Sequence, residues 1–218
     1  MNPNICQSAF LALTGAIAFL SPCAAYGAGA YKVDVTEKPK SEDVVSPEFS
    51  GVKGKPFKGK DWLEMEARIK VDMAPEPKNK TCDSLSVKWY VAVENPGKPG
   101  TFLKLTKEIE YVNVPLKEDV YCSVYISPAS IRRLTGFERS GKRAVKLIGF
   151  EVLIDGKIMA SSTDKAGKEN WWTAASSAIA ESTAVPLLNK METPFAGLWW
   201  DRYAEIKTKA ETKSETSP

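Results

Sequence analysis

Acidic side chains are the first place to look for catalysis in this chain, because it contains no histidine. That absence removes the commonest general base, the commonest metal ligand and every Ser-His or Cys-His mechanism. Glu108 and Glu110 are one pair that acid and base roles would call on. Residues i and i+2 of a strand share a face, however, and for Glu108 it is the wet one opposite Ile109 and Tyr111. Glycosidase chemistry needs two carboxylates converging in a cleft, and this spacing describes a solvated strand instead. No phosphate loop, metal cluster or haem signature occurs, and Ser-x-x-Lys lacks its partner motifs. Cys-x-x-Cys is absent as well, which argues against thiol exchange. The residue types therefore point away from an enzyme and require no cofactor and no metal.

Aromatic residues are the remaining lead. Trp62, Trp171, Trp172, Trp199, Trp200 and Tyr203 are many for a chain of 218 residues. Members of an adjacent pair point in different directions in either a strand or a helix. At least one ring of Trp171-Trp172 and of Trp199-Trp200 is thus expected to be partly exposed. Such rings serve as anchors of a protein interface, where Trp and Tyr concentrate binding energy, or as platforms for sugar rings. The bland alternative is that both pairs seal the edge of the domain. Trp171, Trp172, Trp199, Trp200 and Tyr203 form the candidate interface.

The elements that must position these rings begin with an export signal. An apolar core from Ala9 to Leu20 precedes a small-residue stretch ending in Ala28-Gly29-Ala30, and the first charged side chain is Lys32. That layout predicts a signal peptide over residues 1–30, too short in its apolar core to span a bilayer. Leu20-Ser21-Pro22-Cys23 resembles a lipobox, but Pro22 departs from that pattern and disfavours a lipid anchor at Cys23. No other stretch is apolar enough to cross a membrane. The formal net charge of +3 implies neither nucleic acid nor a strongly acidic surface as partner. Beyond the signal only Cys82 and Cys122 remain, and two cysteines in an oxidising compartment are expected to pair. Closing a loop of roughly 40 residues would stabilise the fold by at most about 4 kcal/mol. The alternative is two buried thiols.

Residues 31–60 read as an extended, weakly packed lead-in with a first strand at Tyr31 to Thr36. Leu63, Met65, Ala67, Ile69, Val71 and Met73 alternate with charged residues, the mark of a strand with one wet face. Leu85 to Val93 repeat that alternation, and Val120 to Ile126 give another strand. Thr101 to Val114 predict two short strands or one bulged strand. Ser127-Pro128 and Gly136 bracket a helix of two turns. Asp155-Gly156 between apolar runs predicts a β-hairpin. Ala184 to Met191 suggest a last strand, and Thr193-Pro194 opens a periodic stretch that fits an amphipathic helix. The fold class is mainly β: an immunoglobulin-like antiparallel β-sandwich over 61–192, with a short helix after the Cys122 strand and a C-terminal amphipathic helix over 193–207. A disordered tail spans 208–218, and a small barrel is the alternative architecture. The match to true immunoglobulin domains is partial, since Trp89 follows Cys82 by only seven residues and Val120 stands where their Tyr would be.

Two stretches carry a resemblance. They are Thr193-Pro194-Phe195-Ala196-Gly197-Leu198-Trp199-Trp200-Asp201-Arg202-Tyr203 and Lys146-Leu147-Ile148-Gly149-Phe150-Glu151-Val152-Leu153-Ile154-Asp155-Gly156. There the chain resembles a family of small exported Verrucomicrobia proteins of Akkermansia type, with an immunoglobulin-like fold and an association with type IV pilus-like gene loci. The resemblance implies a non-enzymatic component at the periplasm or cell surface, working through contacts with envelope or pilus-apparatus proteins or with further copies of itself. It carries over no catalytic residues. The short apolar core followed by a peptidase site departs from type IV pilins proper. An extracellular carbohydrate-binding protein using exposed Trp rings is the alternative function.

Overall fold

A computed structural model describes residues 30–48, 57–139 and 141–208. The signal segment through residue 29 and the tail beyond residue 208 lie outside the described residues. The strands are β1 (Ala30–Val45), β2 (Asp61–Ala74), β3 (Thr81–Glu94), β4 (Phe102–Pro115), β5 (Asp119–Ile126), β6 (Val145–Ile154), β7 (Lys157–Thr163), β8 (Ile179–Glu181) and β9 (Glu205–Ile206). They form two layers. A three-stranded sheet runs β1-β2-β5, and a six-stranded sheet runs β7-β6-β3-β4, with β8 and β9 both attached to β4.

Period-two alternation builds the layers. On β2 the residues Leu63, Met65, Ala67, Ile69 and Val71 are buried, and on β3 Leu85, Val87, Trp89, Val91 and Val93 face them from the other sheet. Trp89 packs on Phe150 of β6 with ring centroids 5.3 Å apart. The helix α1 (Pro128–Thr135) has the predicted caps: Ser127 Oγ accepts the Ser130 amide, Pro128 opens the first turn and Gly136 closes it at φ 80°. The β6–β7 hairpin turns at Asp155 (φ 51°) and Gly156 (φ 73°). These left-handed values are what a tight hairpin turn demands.

Several expectations are corrected. Rather than a loose lead-in, β1 continues to Val45 and pairs antiparallel with β2 along its whole length, with register shifts around Glu37. Those shifts accommodate Pro39, which lacks an amide donor and is tolerated on an edge strand. Charged residues on β1 find partners on the wet face of β2, as in the 2.7 Å pair of Glu37 with Arg68. β4 is one strand in unbroken register with β3. The polar interruption at Thr106 to Glu108 does not break it, since the Lys107 ammonium pairs with Glu192 at 2.9 Å. Residues 184–191 form no strand and contribute a single two-bond bridge, Leu188 with Tyr125.

The expected C-terminal helix is also absent. Single 3-10 turns at Lys190–Glu192 and Trp200–Arg202 and the short β9 stand in its place. A helix that short is marginal in water, so tertiary anchors decide the outcome. Trp199 sits in the left-handed region at φ 51°, ψ 38°, where a regular helix cannot continue.

Nor is the expected disulfide formed: Cys82 and Cys122 are free, buried thiols. β3–β4 pairing sets Cys82 opposite Val114 and Leu85 opposite Tyr111, while Cys122, in the other sheet, hydrogen-bonds with the Tyr111 side chain. Cys82 lies opposite Val114 in one sheet and Cys122 opposite Ala67 in the other, and the Cys82 thiol donates instead to the Ser84 carbonyl at 3.3 Å. Burial pushes the Cys122 thiol up to about 12 and raises Cys82 too. Both are held as unreactive thiols.

Candidate binding face

The five candidate aromatic residues do not form one site, because the two Trp pairs lie on the outer faces of different sheets. Trp171 and Trp172 stand in a turn after β7 and fold back over the six-stranded sheet. There they pack with Tyr90 and Ala92 of β3 in a second, smaller apolar cluster. Trp172 stacks on Tyr90 at 5.0 Å, and its indole Nε1 donates to Glu151 Oε1 at 2.8 Å. The Tyr90 hydroxyl donates to the other oxygen of the same carboxylate, also at 2.8 Å. Gly149 makes the stacking geometry attainable, because a Cβ there would lie 2.2 Å from Trp172 Cζ3. Both rings are buried, so the expectation of an exposed ring in this pair is corrected. A turn lets adjacent side chains converge where a strand or helix would not.

Trp199 and Trp200 behave oppositely. They belong to a strap, residues 188–203, that crosses the outer face of the three-stranded sheet. That face is built by alternation: Trp62, Glu64, Glu66 and Arg68 project from β2, with Ser123 and Tyr125 of β5 in register beside Glu66 and Glu64. The strap is fastened at three points. Phe195 inserts against Trp62 (5.9 Å, edge-on) and Tyr125 (5.4 Å, stacked). The Tyr203 hydroxyl donates to Glu66 Oε2 at 2.5 Å. Lys190 is buried, donates to the Leu198 carbonyl and lies 4.4 Å from the Tyr203 ring centroid. A buried ammonium among ring faces is held by cation–π attraction. Burial lowers the Lys190 pKa.

Between these fastenings the rings of Trp199 and Trp200 stay 50% and 54% exposed. Met191, 41% exposed, belongs to the same strap. Trp199 lines a shallow cavity of about 290 Å³ together with Lys40, Glu42, Val44, Glu64, Glu66 and Arg202. Arg202 stacks over Tyr121 at 3.9 Å and approaches Glu66 at 3.8 Å. Glu64 accepts the Tyr125 hydroxyl at 2.5 Å, and burial raises its pKa despite that bond. The tyrosines on this face are pushed up as well, Tyr125 and Tyr203 both chiefly by burial.

Glu64 and Glu66 are therefore a carboxylate pair on one face, with each member already bonded to a phenol. The arrangement offers hydrogen-bond acceptors beside two open indole rings, which suits recognition. Among the described residues no group of three acidic, Cys or His side chains gathers as a metal would need. Glu64, Glu66, Phe195, Lys190 and Arg202 escape sequence reasoning as site residues. Alternation marks Glu64 and Glu66 as a wet face, but nothing local says that a strap far along the chain will cover it.

A family model matches residues 25–210 of this chain. A crystal structure of a protein from Akkermansia muciniphila is similar at a TM-score of 0.78 and 42% identity, covering 84% of this chain and 96% of that one. No curated protein matches. A family match over nearly the whole chain and this level of identity over the full fold place the chain in the Akkermansia-type family that its sequence resembles.

Proposed function

We propose that this chain is a non-enzymatic envelope protein with an immunoglobulin-like sandwich, acting beside a type IV pilus-like apparatus through protein contacts made by the Trp199–Trp200 strap. Family membership supports the pilus association. The observation that carries the mode of action is the exposure of two neighbouring indole rings on a segment that is otherwise fastened by Phe195, Lys190 and Tyr203. Solvent-exposed Trp on a pre-organised segment is the composition of an interface hot spot, because little conformational entropy remains to be lost on binding. Trp199 holds a left-handed backbone conformation that costs a bulky residue stability, and such outliers concentrate where a side chain must be presented. Residence in the periplasm or at the surface fits the signal peptide expected at residues 1–30.

Photo-crosslinking tests the proposal directly. A benzophenone amino acid at position 200 in the producing cell should capture an envelope or pilus-apparatus protein, or a second copy of the chain. Trp199→Ala should abolish capture while the purified protein melts as before. Capture of nothing, or capture indifferent to Trp199→Ala, sinks the proposal. Glycan binding lost in the same variant would transfer the strap to the carbohydrate reading.

A further inference from the structure

A second exposed feature lies at the end of the sandwich where β2 starts and β5 stops, on a loop distinct from the Trp199–Trp200 part of the strap. The loop after α1 carries Phe137 at its tip, 73% exposed and the most exposed large apolar residue among those described. Around it the segment 132–143 holds Arg132, Arg133, Arg139, Lys142 and Arg143 against one carboxylate, Glu138, in a chain whose charges otherwise nearly balance. All five cations are exposed. Glu138 is shared between Lys60 (3.3 Å) and Arg132 (3.5 Å). Arg139, Lys142 and Arg143 have no carboxylate partner among the described residues. Arg139 and Arg143 line an open cleft of about 600 Å³ together with Phe137, Leu134, Thr135 and Ala144, with Glu94 and Glu138 as its two carboxylates, Glu94 already paired with Lys146 at 2.7 Å. α1 and Gly141, which is buried against Ile131 and Leu63, root the loop firmly in the core.

An apolar tip beside three cations without a carboxylate partner is a composition that partitions into an anionic lipid interface: the ring enters the headgroup boundary while the cations meet phosphates. A protein partner would more often present carboxylates to such a loop, and the exposed Phe137 would then need a matching pocket. A lipid surface needs none. We propose that the Phe137 loop docks this protein peripherally onto an anionic phospholipid surface, with Arg139 and Arg143 engaging lipid phosphates.

Sedimentation of the mature chain with vesicles tests this. Phosphatidylglycerol-containing vesicles should bind it, phosphatidylcholine vesicles should not, and about 0.5 M salt should strip it off. Removing two cations in Arg139→Gln/Arg143→Gln should weaken partitioning about 25-fold, at roughly fivefold per cation near the surface. Phe137→Ser should weaken it about tenfold or more, the loss expected for an inserted aromatic ring. Trp199→Ala should leave vesicle binding unchanged, which separates this surface from the strap. Inorganic phosphate at the lipid-phosphate concentration should not compete. Equal binding to neutral vesicles overturns the proposal. So does binding that survives Phe137→Ser unchanged, since a soluble polyanion site would behave that way. Circular-dichroism melting of each variant, expected to match the parent because the substituted side chains are exposed, excludes misfolding as the cause of any loss.

Discussion

The two adjacent Trp pairs are the same dipeptide with opposite fates. Trp171-Trp172 is closed over the six-stranded sheet, with both rings buried. Trp199-Trp200 is held open over the three-stranded sheet, both rings half exposed. The difference lies in what the sheet beneath provides. Under Trp172 the strand supplies a hole at Gly149, a stacking partner at Tyr90 and an acceptor at Glu151. Beneath the strap the sheet supplies carboxylates already taken by phenols, Glu64 by Tyr125 of β5 and Glu66 by Tyr203 of the strap itself, and the groove that would take a ring is filled by Phe195. The packing beneath decides the outcome rather than the N–H: Trp172 has both a stacking partner and an acceptor, whereas Trp171 is buried beside it with its indole N–H left without a partner.

The closed pair yields the largest effects. Trp172→Ala removes a stacked ring and one of the two donors to Glu151, and should lower unfolding free energy by about 3 kcal/mol. Chemical denaturation measures it. Gly149→Ala drives a methyl group into the same ring and should cost about 2 kcal/mol. The double variant sharpens the comparison. With the indole gone the added methyl has room, and glycine in a strand is itself worse than alanine by about 0.5–1 kcal/mol. The double variant should therefore be no less stable than Trp172→Ala alone, a strongly non-additive cycle. Additive losses would mean that Gly149 serves some purpose other than making space for Trp172.

Why was the sandwich legible and the site only partly so? β2, β3, α1 and the Asp155-Gly156 hairpin are dictated by neighbours within a few residues, through alternation, caps and turn chemistry. Those signals survive in the fold because β2 and β3 lie inside their sheets, where one face of each must be buried. β1 past Thr36 reads as loose because its partners are charged residues of β2, contacts that no local pattern encodes. The terminal segment reads as helical because Phe195, Leu198, Trp199 and Arg202 recur at three and four residues. Its conformation is instead set by Trp62, Tyr125 and Glu66, more than sixty positions away in sequence. Compartment alone predicts that Cys82 and Cys122 pair, whereas their placement in different sheets is set by pairings no local pattern encodes. The exposure of Trp199-Trp200 follows from the divergence of adjacent side chains, whereas the carboxylates beside them come from a strand far away in the sequence.

The open pair predicts a trade between stability and binding. Trp199→Gly relieves the left-handed backbone of a bulky residue and should raise stability by about 1 kcal/mol, seen as an increase in melting temperature. The same variant should lose the crosslinked partner. Trp172→Gly, by contrast, should lose stability with no direct effect on capture. A strap in which Trp199→Gly is destabilising would show that the ring contributes packing to the fold, and the two pairs would then differ in degree only.

The smallest effect concerns charge beneath the strap, and its sign is fixed. Burial raises the Glu64 carboxyl above its ordinary 4.5, so the fold favours the protonated acid more than the unfolded chain does. Its contribution is fully present below the unfolded value and is lost as pH rises through the raised folded one. Glu37 runs the other way: hydrogen bonds from Lys40 and Arg68 lower it, and its contribution is lost as pH falls through its folded value. Glu64→Gln keeps an acceptor for the Tyr125 hydroxyl but cannot ionise. The variant should therefore gain melting temperature over the parent above the raised Glu64 value and converge with it in acid. Amide exchange at Leu188, whose N–H bonds the Tyr125 carbonyl at 2.9 Å, should slow in parallel at neutral pH. A melting difference that is flat with pH would mean that water reaches Glu64 freely, and the strap would then be a looser cover than its three fastenings imply.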